Sequence, residues 1–563
     1  MKLELDEARR LTGPNLLWDK PGAVVDVLLD EVAPQAVADA WRRWSVQLLE
    51  AFGWQAESTA RLYPGGANLA IAAPMDALYT ACEVAELIWQ CAVAELQQVA
   101  VPDWQSRLNE LHSELQEELN PRLMALISAA TEHGVTCLVD DDELSLGMGA
   151  SVDIWPVGEL PAVSDVDWSK YRDVPRAFIT GTNGKSTSVR LAAEIGSAAG
   201  FNAGVTSTDF IRVGDAIIDR GDYSGPGGAR MLMRDRRTGI AFLEVARGGI
   251  LRRGLPLDKV DAALVTNIAA DHLGQYGINT VEDLAATKFV VARALDDDGV
   301  LVVNADNALV VQQAKTLDNT LCWFSLEEQN ELVQAHIGSG QRAVFLRDGE
   351  LVYHHAGDEH NYGAAADLPM TFGGTARHNI QNALGVIGLC HALGLPSEAI
   401  QAGLHKFGST ADDNPGRGNR YQLENCSVVV DFAHNEHSMR AVVDMVAHMP
   451  ANKRLAMFGH AGDRADKEIQ DLTNAVADLD ASAYIINELE DYLRGRELGD
   501  IPALARDCLH ARGVSDEQIH VVPDPLSGTK LALELAQEGD LLLLFVLDQR
   551  EQVHQLLSEL SLA

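Results

Sequence analysis

Short apolar runs alternate with helical patterns from residue 176 onward. The segments "RAFIT", "IAFLEV", "AALVTNI" and "GVLVVNA" are β-branched or aliphatic, and amphipathic stretches lie between some of them. This alternation is typical of a parallel sheet with helices packed on it. The pattern restarts near residue 412, where "CSVVVDFAH", "RLAMFGH", "AYIINE", "IHVVPD" and "DLLLLFV" predict five further strands and therefore a second α/β domain.

The first 172 residues have a different pattern. They contain two long helical candidates, at about 74–100 and 102–128, and Pro102 separates the two. An apolar segment follows at 134–149, and the Pro- and Asp-rich stretch 155–175 predicts a linker. A chain of 563 residues should hold more than one domain, so we expect boundaries that give domains at 1–172, 173–411 and 412–563.

Composition narrows the class of partner. The formal net charge of −38 argues against a nucleic-acid binder, which would present a basic face. It is compatible with a cationic substrate, although a solvated acidic surface explains it as well. Seven scattered cysteines without a C-x-x-C pair indicate a reducing compartment and no disulfide framework or zinc site. The acidic N-terminus and the lack of a long apolar run predict a cytoplasmic protein that does not enter a membrane.

The stretch "TGTNGKST" at 180–187 follows the first of these strands and precedes a helix. Backbone N–H groups of such a turn can hold phosphate oxygens, Lys185 can neutralise their charge, and the hydroxyl of Ser186 can ligate Mg²⁺. An ordinary strand-to-helix turn is the alternative. The predicted nucleotide-binding residues of the loop are Thr182, Asn183, Gly184, Lys185, Ser186 and Thr187.

The spacing of this loop resembles that of the Mur ligase family, the ATP-dependent amide-forming ligases of cell-wall precursor synthesis and their relatives. Further segments resemble the family pattern in the same order. They are "TST" at 206–208, "FLEVARGG" at 242–249, "TNIAADHLGQYG" at 266–277, "DLAATKFVVARAL" at 283–295, "ARHNIQNALGVIG" at 376–388, "NPGRGNRY" at 414–421 and "VVVDFAHNEHS" at 428–438.

The resemblance implies a central P-loop ATPase domain, a C-terminal Rossmann-like domain, and ATP and Mg²⁺ as cofactors. It also implies roles for single residues. Glu244 would bind magnesium, His272 would hold a second metal, and Lys288 lies where the family carries a lysine that is often carbamylated to help hold that metal. Asn379 and Asn382 would lie on the adenine side, and Arg417, Asp431 and His434 would face the nucleotide from the last domain. Plain surface amides or an exposed lysine are the alternatives.

A narrower resemblance is to the Mur-type, arginine-adding half of cyanophycin synthetase. It rests on "GDYSGPGGARMLMRD", "LEVARGGILRRGL", "GHAGDRADKEI" and "EDYLRGRELGD", and on "LTGPN" at 11–15, which implies an N-terminal α/β domain like that of this enzyme. The segment "LSLGMGAS" at 144–151 resembles the one that leads into its ATP-grasp domain. Here it runs through a short linker into the phosphate loop, so we expect no ATP-grasp domain between them.

Two groups of charged residues are candidates for substrate binding. Arg247, Arg252 and Arg253 could hold an acidic acceptor, because a guanidinium group binds a carboxylate in bidentate fashion. The incoming amino acid should bind where strands of the last domain end. Its candidate residues are Asp463, Arg464, Glu488, Asp491, Arg494 and Arg496. Solvated charges explain both groups as well.

These features predict an ATP-dependent ligase that activates a carboxylate as an acyl phosphate and joins an amino acid, with arginine as candidate, to an acidic acceptor. We expect a single addition rather than a polymer. The alternatives are a folylpolyglutamate-type ligase and a non-catalytic partner that regulates a separate synthetase. The partners expected are small molecules, with a separate ATP-grasp or synthetase protein as a further candidate, and we expect a homo-oligomer.

Overall fold

A computed structural model of the chain describes residues 2–408, 410 and 413–561. Its N-terminal region contains an antiparallel sheet in the order β1-β2-β4-β3 and a small sheet in the order β5-β6-β7. Helices α1 and α2 pack on the first sheet, and their apolar side chains form one core with strands β2 and β4. The elements are β1 (Lys2–Leu11), β2 (Gly22–Asp30), α1 (Pro34–Phe52), β3 (Ser58–Tyr63), β4 (Gly66–Ala72), α2 (Leu78–Leu96), α3 (Trp104–Glu118), α4 (Pro121–His133), β5 (Cys137–Val139), β6 (Glu143–Leu146) and β7 (Asp153–Pro156).

Two expectations for this region need correction. The predicted helix at 102–128 is two helices, because Asn120 caps a new helix by accepting a hydrogen bond from the backbone N–H of Leu123, and Pro121 occupies its first turn. The predicted linker at 155–175 is a packed segment. Leu160 and Tyr171 are 3% and 4% exposed and belong to a core with α4 and β6.

The middle of the chain forms a mixed sheet in the order β11-β10-β9-β12-β8-β13-β14-β15-β16-β17-β18. Neighbours from β9 to β16 in this order are parallel, and the strands at both margins are antiparallel. The elements are β8 (Arg176–Thr180), α5 (Lys185–Ala198), β9 (Ala203–Thr206), β10 (Phe210–Val213), β11 (Ala216–Arg220), α6 (Pro226–Arg234), β12 (Ile240–Glu244), α7 (Arg247–Arg252), β13 (Val260–Val265), α8 (Val281–Lys288), β14 (Leu295–Asn304), α9 (Ala308–Ala314), β15 (Thr320–Ser325), α10 (Glu331–Gly338), β16 (Ala343–Arg347), β17 (Glu350–His355), β18 (Asp358–Ala364), α11 (Arg377–Ala392) and α12 (Ser397–Lys406).

The C-terminal part forms a sheet in the order β19-β20-β24-β21-β22-β23, parallel except for β19. Its elements are β19 (Asn419–Gln422), β20 (Cys426–Asp431), α13 (Glu436–Ala447), β21 (Arg454–Phe458), α14 (Asp466–Ala477), β22 (Ala483–Asn487), α15 (Asp500–Ala511), β23 (Ile519–Val522), α16 (Pro525–Leu535), β24 (Asp540–Phe545) and α17 (Arg550–Leu560). The predicted α/β class is confirmed. The domain boundaries stay predictions, and the one at 411/412 lies outside the described residues. Within the described part, no helix is both long and apolar enough to cross a membrane.

Helix α12 packs on α5, the helix that follows the phosphate loop, with backbone close to backbone. A Cβ atom at Gly403 would lie 2.5 Å from Cγ1 and 2.7 Å from Cα of Ile195. Glycine at this position therefore allows the two helices to approach, and it helps to fix α5 and the loop before it.

We expect Gly403→Ala to destabilise the protein by about 1–3 kcal/mol, because the added methyl group has to push α12 away from the backbone of α5. Gly338→Ala is the matched control, since a Cβ atom there meets no other atom within 4 Å. Thermal unfolding followed by calorimetry should show a lower midpoint for Gly403→Ala and an almost unchanged one for Gly338→Ala. Equal midpoints for the two variants would contradict this account of the helix contact.

Candidate active site

The loop between β8 and α5 has a conformation that its glycines make possible. Gly181 and Gly184 have φ angles of 141° and 86°, a region that L side chains rarely adopt. A Cβ atom at Gly181 would lie 1.9 Å from Oγ1 of Thr266, and one at Gly184 would lie 2.2 Å from Oδ1 of Asn382. The loop is therefore packed directly against the residues that follow β13 and against helix α11.

Side chains that follow β13 hold this loop in place. The hydroxyl of Thr266 donates to the carbonyl of Asn183 at 2.6 Å, and the side-chain amide of Asn267 donates to the same carbonyl at 3.0 Å. The backbone N–H of Asn183 in turn donates to Oδ1 of Asn267 at 3.0 Å. These bonds fix the loop without a ligand, so the site does not have to order it on binding.

Ser186 and Glu244 lie together at the start of α5 and the end of β12. The Ser186 hydroxyl donates to Oε2 of Glu244 at 2.8 Å, and both side chains are buried. The second carboxylate oxygen of Glu244, Oε1, is buried and has no hydrogen-bond partner among the described residues. A carboxylate and a hydroxyl are the hard oxygen ligands that Mg²⁺ prefers, so these two residues fit the predicted ion.

Lys288 is buried at the end of α8, and its Nζ donates to the carbonyl of Gly181 at 2.7 Å. Burial lowers the pKa of this amine well below its usual value, and the charge of nearby Lys185 lowers the pKa further. It is thus no exposed helix lysine, which was the alternative interpretation. A neutral amine is the form that carbamylation requires; carbamylation itself stays a prediction.

The two larger sheets, that of the middle of the chain and that of the C-terminal part, face each other at a cluster of three side chains, Asp271, His272 and His434. One ligand atom from each lies within 4.8 Å of the other two. Burial lowers the pKa of His434 to about 4 and also lowers that of His272, so both imidazoles are neutral near pH 7. Within the part of the chain that the structure describes, Oδ1 of Asp271 is buried and has no hydrogen-bond partner. The structure thus gives His272 neighbours that could share a metal, and Asp271 was not among the predicted residues.

The C-terminal sheet closes over the loop through polar contacts. The side-chain amides of Asn183 and Asn435 donate to each other's carbonyl oxygens, at 3.2 and 2.8 Å. A cavity lies between this sheet and the phosphate loop, and on the side of the C-terminal sheet it is lined by Arg417, Asp431 and His434. Burial raises the pKa of Asp431 to about 6, although the charge of Arg417 acts in the opposite direction.

Asn379 and Asn382 line the same cavity from α11 and are 5% and 6% exposed, so they are not surface amides. The predicted catalytic, nucleotide-binding and metal-binding residues therefore all line one cavity of about 480 Å³. Those residues are Thr182, Asn183, Gly184, Lys185, Ser186, Thr187, Glu244, His272, Lys288, Asn379, Asn382, Arg417, Asp431 and His434.

A second cavity of about 1150 Å³ adjoins the first, since Arg247 and Arg494 line both. Arg252 and Arg253 line the second, together with Asp6 and Glu7 of strand β1. The N-terminal region supports its walls by backbone contacts, because the N–H of Thr12 donates to the carbonyl of Arg253 and the N–H of Leu255 donates to the carbonyl of Pro14.

The predicted residues for the incoming amino acid divide into two sets. Asp463 and Arg494 form an ion pair at the rim of the first cavity. The structure does not bring the other four, Arg464, Glu488, Asp491 and Arg496, into the lining of either cavity. Arg496 is held by the carbonyls of Gly462 and Arg464 and by Asp466, and the buried Glu488 accepts the N–H of Gly499.

Sequence reasoning missed several lining residues. Asn267 and Asp271 lie inside the quoted segment 266–277 but were given no role, although their position between a strand and His272 could have indicated one. Gln275, His378 and His437 also line the first cavity and were not singled out.

Comparison with known proteins agrees with this geometry. Residues 179–390 match the Mur ligase middle domain, and residues 416–545 match the Mur ligase, glutamate ligase domain. The cyanophycin synthetase of Trichormus variabilis is 37% identical over 331 residues, which cover 59% of this chain and 36% of the relative. That of Synechocystis is 35% identical over 376 residues, 66% of this chain and 42% of the relative. The matched part thus spans less than half the length of these relatives.

Among solved structures, E. coli FolC in complex with DHPP and ADP has a TM-score of 0.51 and 18% identity, and covers 68% of this chain and 89% of that one. This likeness shows a shared fold. The two matched domains together cover well over half of the chain and contain the phosphate loop, Glu244, His272, Lys288 and His434. The predicted resemblance is therefore confirmed, and the chain belongs to the Mur ligase family.

Proposed function

We propose that the chain is an ATP- and Mg²⁺-dependent ligase that activates a carboxylate as an acyl phosphate and joins an amino acid to it. The acceptor is an acidic amino acid or small peptide, and arginine is the candidate amino acid. The observation that carries the proposal is the single cavity that brings the phosphate loop, the unpartnered oxygen of Glu244 and the cationic residues of the C-terminal sheet together.

The phosphate side of the reaction follows from the loop and its surroundings. A carboxylate does not react with an amine in water, since its leaving group is poor, whereas an acyl phosphate does. The backbone amides of 182–186 and the ammonium group of Lys185 would bind the phosphates and stabilise the charge that spreads over the transferred phosphoryl group. Arg417 would add a second cation from the opposite sheet.

Ser186 and Glu244 would hold Mg²⁺, which when bound supplies charge neutralisation between the phosphates. His272 and His434 are neutral near pH 7 and each offers a nitrogen lone pair beside Asp271. Neutral imidazoles suit both a second ion and the acceptance of a proton from the attacking amine. The low pKa of Lys288 adds a carbamylated lysine as a further ligand candidate.

The acceptor would bind in the second cavity with its reactive carboxylate at the shared wall. Nη1 of Arg247 is buried there and bonds to none of the residues that the structure describes, whereas its Nη2 donates to Oε1 of Gln275 at 2.6 Å. A free guanidinium N–H at this wall is a site for a carboxylate oxygen. The incoming amino acid would bind beside the ion pair of Asp463 and Arg494, which offers one charge of each sign to a zwitterion.

We expect ADP release only when both an acidic acceptor and an amino acid are present, and one added mass step per acceptor. A panel of amino acids and acidic dipeptides with ATP and Mg²⁺ tests this, with ADP followed enzymatically and products by mass spectrometry. Lys185→Ala should reduce turnover at least about 100-fold and leave the fold intact, because its Nζ donates to the carbonyl of Thr182 and to no other group of the described residues. A ladder of repeating two-residue increments would refute single addition. No ADP release with any pair would refute the ligase and favour the non-catalytic alternative.

Glu244→Gln should weaken the binding of Mn²⁺, used as a probe for Mg²⁺, to the protein with ADP by at least about tenfold, because the amide carries no charge. Electron paramagnetic resonance measures free Mn²⁺ directly and needs no turnover. Glu331→Gln, an exposed glutamate on α10, is the control and should leave the affinity unchanged. Wild-type affinity in Glu244→Gln would contradict the assignment of this carboxylate.

Nucleotide affinity should fall as the pH falls through about 6. Burial raises the pKa of Asp431 to about 6, so the carboxylate is ionised above this pH and takes up a proton below it. An ionised carboxylate accepts hydrogen bonds from hydroxyl groups of the nucleotide more strongly than a protonated one does. Calorimetric titration with ADP between pH 5 and 8 measures the change, and the protonation of ADP itself is common to every variant. In Asp431→Asn the protein-dependent part of this change should disappear; an unchanged pH profile would exclude Asp431 as its source.

A further inference from the structure

Asp209 lies beside the phosphate-loop helix and is enclosed by arginines. Arg190, which is fully buried on α5, donates to its Oδ2. Arg550, the first residue of α17, donates to its Oδ1 at 3.1 Å. Burial alone would raise the pKa of this carboxyl, but Arg417, Arg190 and Arg550 together hold it below its usual value. The carboxylate is therefore ionised, and each of its oxygens has one arginine as partner.

Arg417 and Arg550 share a second neighbour, the ring of Phe432. The guanidinium carbon of Arg417 lies 4.9 Å from the ring centroid, and that of Arg550 lies 4.6 Å from it. An arginine at this distance from a ring face is attracted by the ring quadrupole. Arg417 lines the nucleotide cavity and Arg550 does not, so one member of this arrangement faces the nucleotide and the other stands behind it.

Arg417 has two anionic groups within its surroundings, the phosphates that the cavity would bind and the carboxylate of Asp209. Only one of them serves the reaction. With Arg550 in place, Oδ1 of Asp209 already has a guanidinium partner. Without Arg550, Oδ1 of the partly buried Asp209 would lose its partner. Because an unpaired buried charge is costly, this oxygen would then attract the nearest remaining cation.

We propose that Arg550 is a positioning residue that keeps Arg417 directed at the nucleotide. It does so by pairing with the carboxylate of Asp209 and by packing on Phe432 next to Arg417, which limits where the side chain of Arg417 can lie. The inference rests on the proposed function. The ion pair of Arg550 and Asp209 also joins the middle and the C-terminal sheets, because Asp209 follows β9 and Arg550 begins α17. A positioning role therefore has to be distinguished from a simple role in holding the two sheets together.

The first test compares variants of Arg550 in the full chain. Arg550→Gln should lower kcat about tenfold or more, since small displacements of a charged group that stabilises the transition state have large effects, and leave the KM of the amino acid unchanged. Arg550→Lys should restore most of the activity, because it keeps the ion pair with Asp209. Arg512→Gln is the control, since Arg512 is about as exposed as Arg550 and forms an ion pair with Asp478 at 2.7 Å, away from Asp209. Wild-type kcat in Arg550→Gln would overturn the proposal.

The second test is a double-mutant cycle with Arg417→Ala. If Arg550 acts through Arg417, Arg550→Gln should change kcat, and the affinity for ADP measured by calorimetry, less than about twofold in that background. The full loss in both backgrounds would show that Arg550 holds the sheets together and would overturn the proposal. The affinity for ADP needs no ligation. The wild-type protein could bind ADP more tightly than Arg550→Gln does and yet form no ADP from ATP with any substrate. That result would refute the proposed function alone.

Discussion

The close packing around Gly181 and Gly184 is the constraint on which the rest of the site depends. Neither position has room for a Cβ atom, because Thr266 and Asn382 lie against them. This contact requires β8 to lie next to β13 with helix α11 close above, which the parallel order of the central strands provides. Parallel strands end at the same edge of the sheet, so Glu244 and His272 reach that edge as well. The positions of the loop, the metal candidates and the adenine-side helix are thus consequences of one sheet order.

The contact between the two larger sheets is polar where it meets the loop. A reciprocal pair of side-chain amides joins Asn183 and Asn435, and Nδ1 of His437 accepts a further hydrogen bond from Nδ2 of Asn183 at 3.0 Å. Amide pairs of this kind exchange readily for water, whereas an apolar core would not. Such an interface suits two bodies that close over a nucleotide and open again to release product. The contact between the two sheets also places His434 beside Asp271, which neither sheet could achieve alone.

The sequence alone was enough to predict the parts of the site that depend on one short segment, such as the phosphate loop or the end of a strand. The glycines of the loop and the carboxylate that ends β12 have a fixed place relative to their strands, so Lys185 and Glu244 could be placed on the sheet edge from the pattern alone. Side-chain direction in irregular segments could not be predicted in this way. Arg496 and Glu488 lie near the expected edge, yet Arg496 donates to backbone carbonyls of the loop after β21, and Glu488 accepts a backbone N–H of its own loop. Asp271 was missed because its importance depends on a histidine from another sheet.

The N-terminal region, whose role composition and motifs left open, contributes to the second cavity. Strand β1 contributes Asp6 and Glu7 to the second cavity, and Arg9, which forms a buried ion pair with Asp26, lies over the ring of Tyr276 in the opposite wall. Asp6 and Glu7 thus add acidic side chains to the second cavity, where we propose that the acceptor binds, whereas the lining of the first cavity lies within the matched Mur ligase domains. Acids from one region and arginines from the other meet across the second cavity. An acceptor with charges of both signs along its length would match that lining, and a purely anionic one would meet repulsion at Asp6 and Glu7. Under the proposed function, acceptor choice would thus depend in part on residues outside the domains that identify the family of this chain.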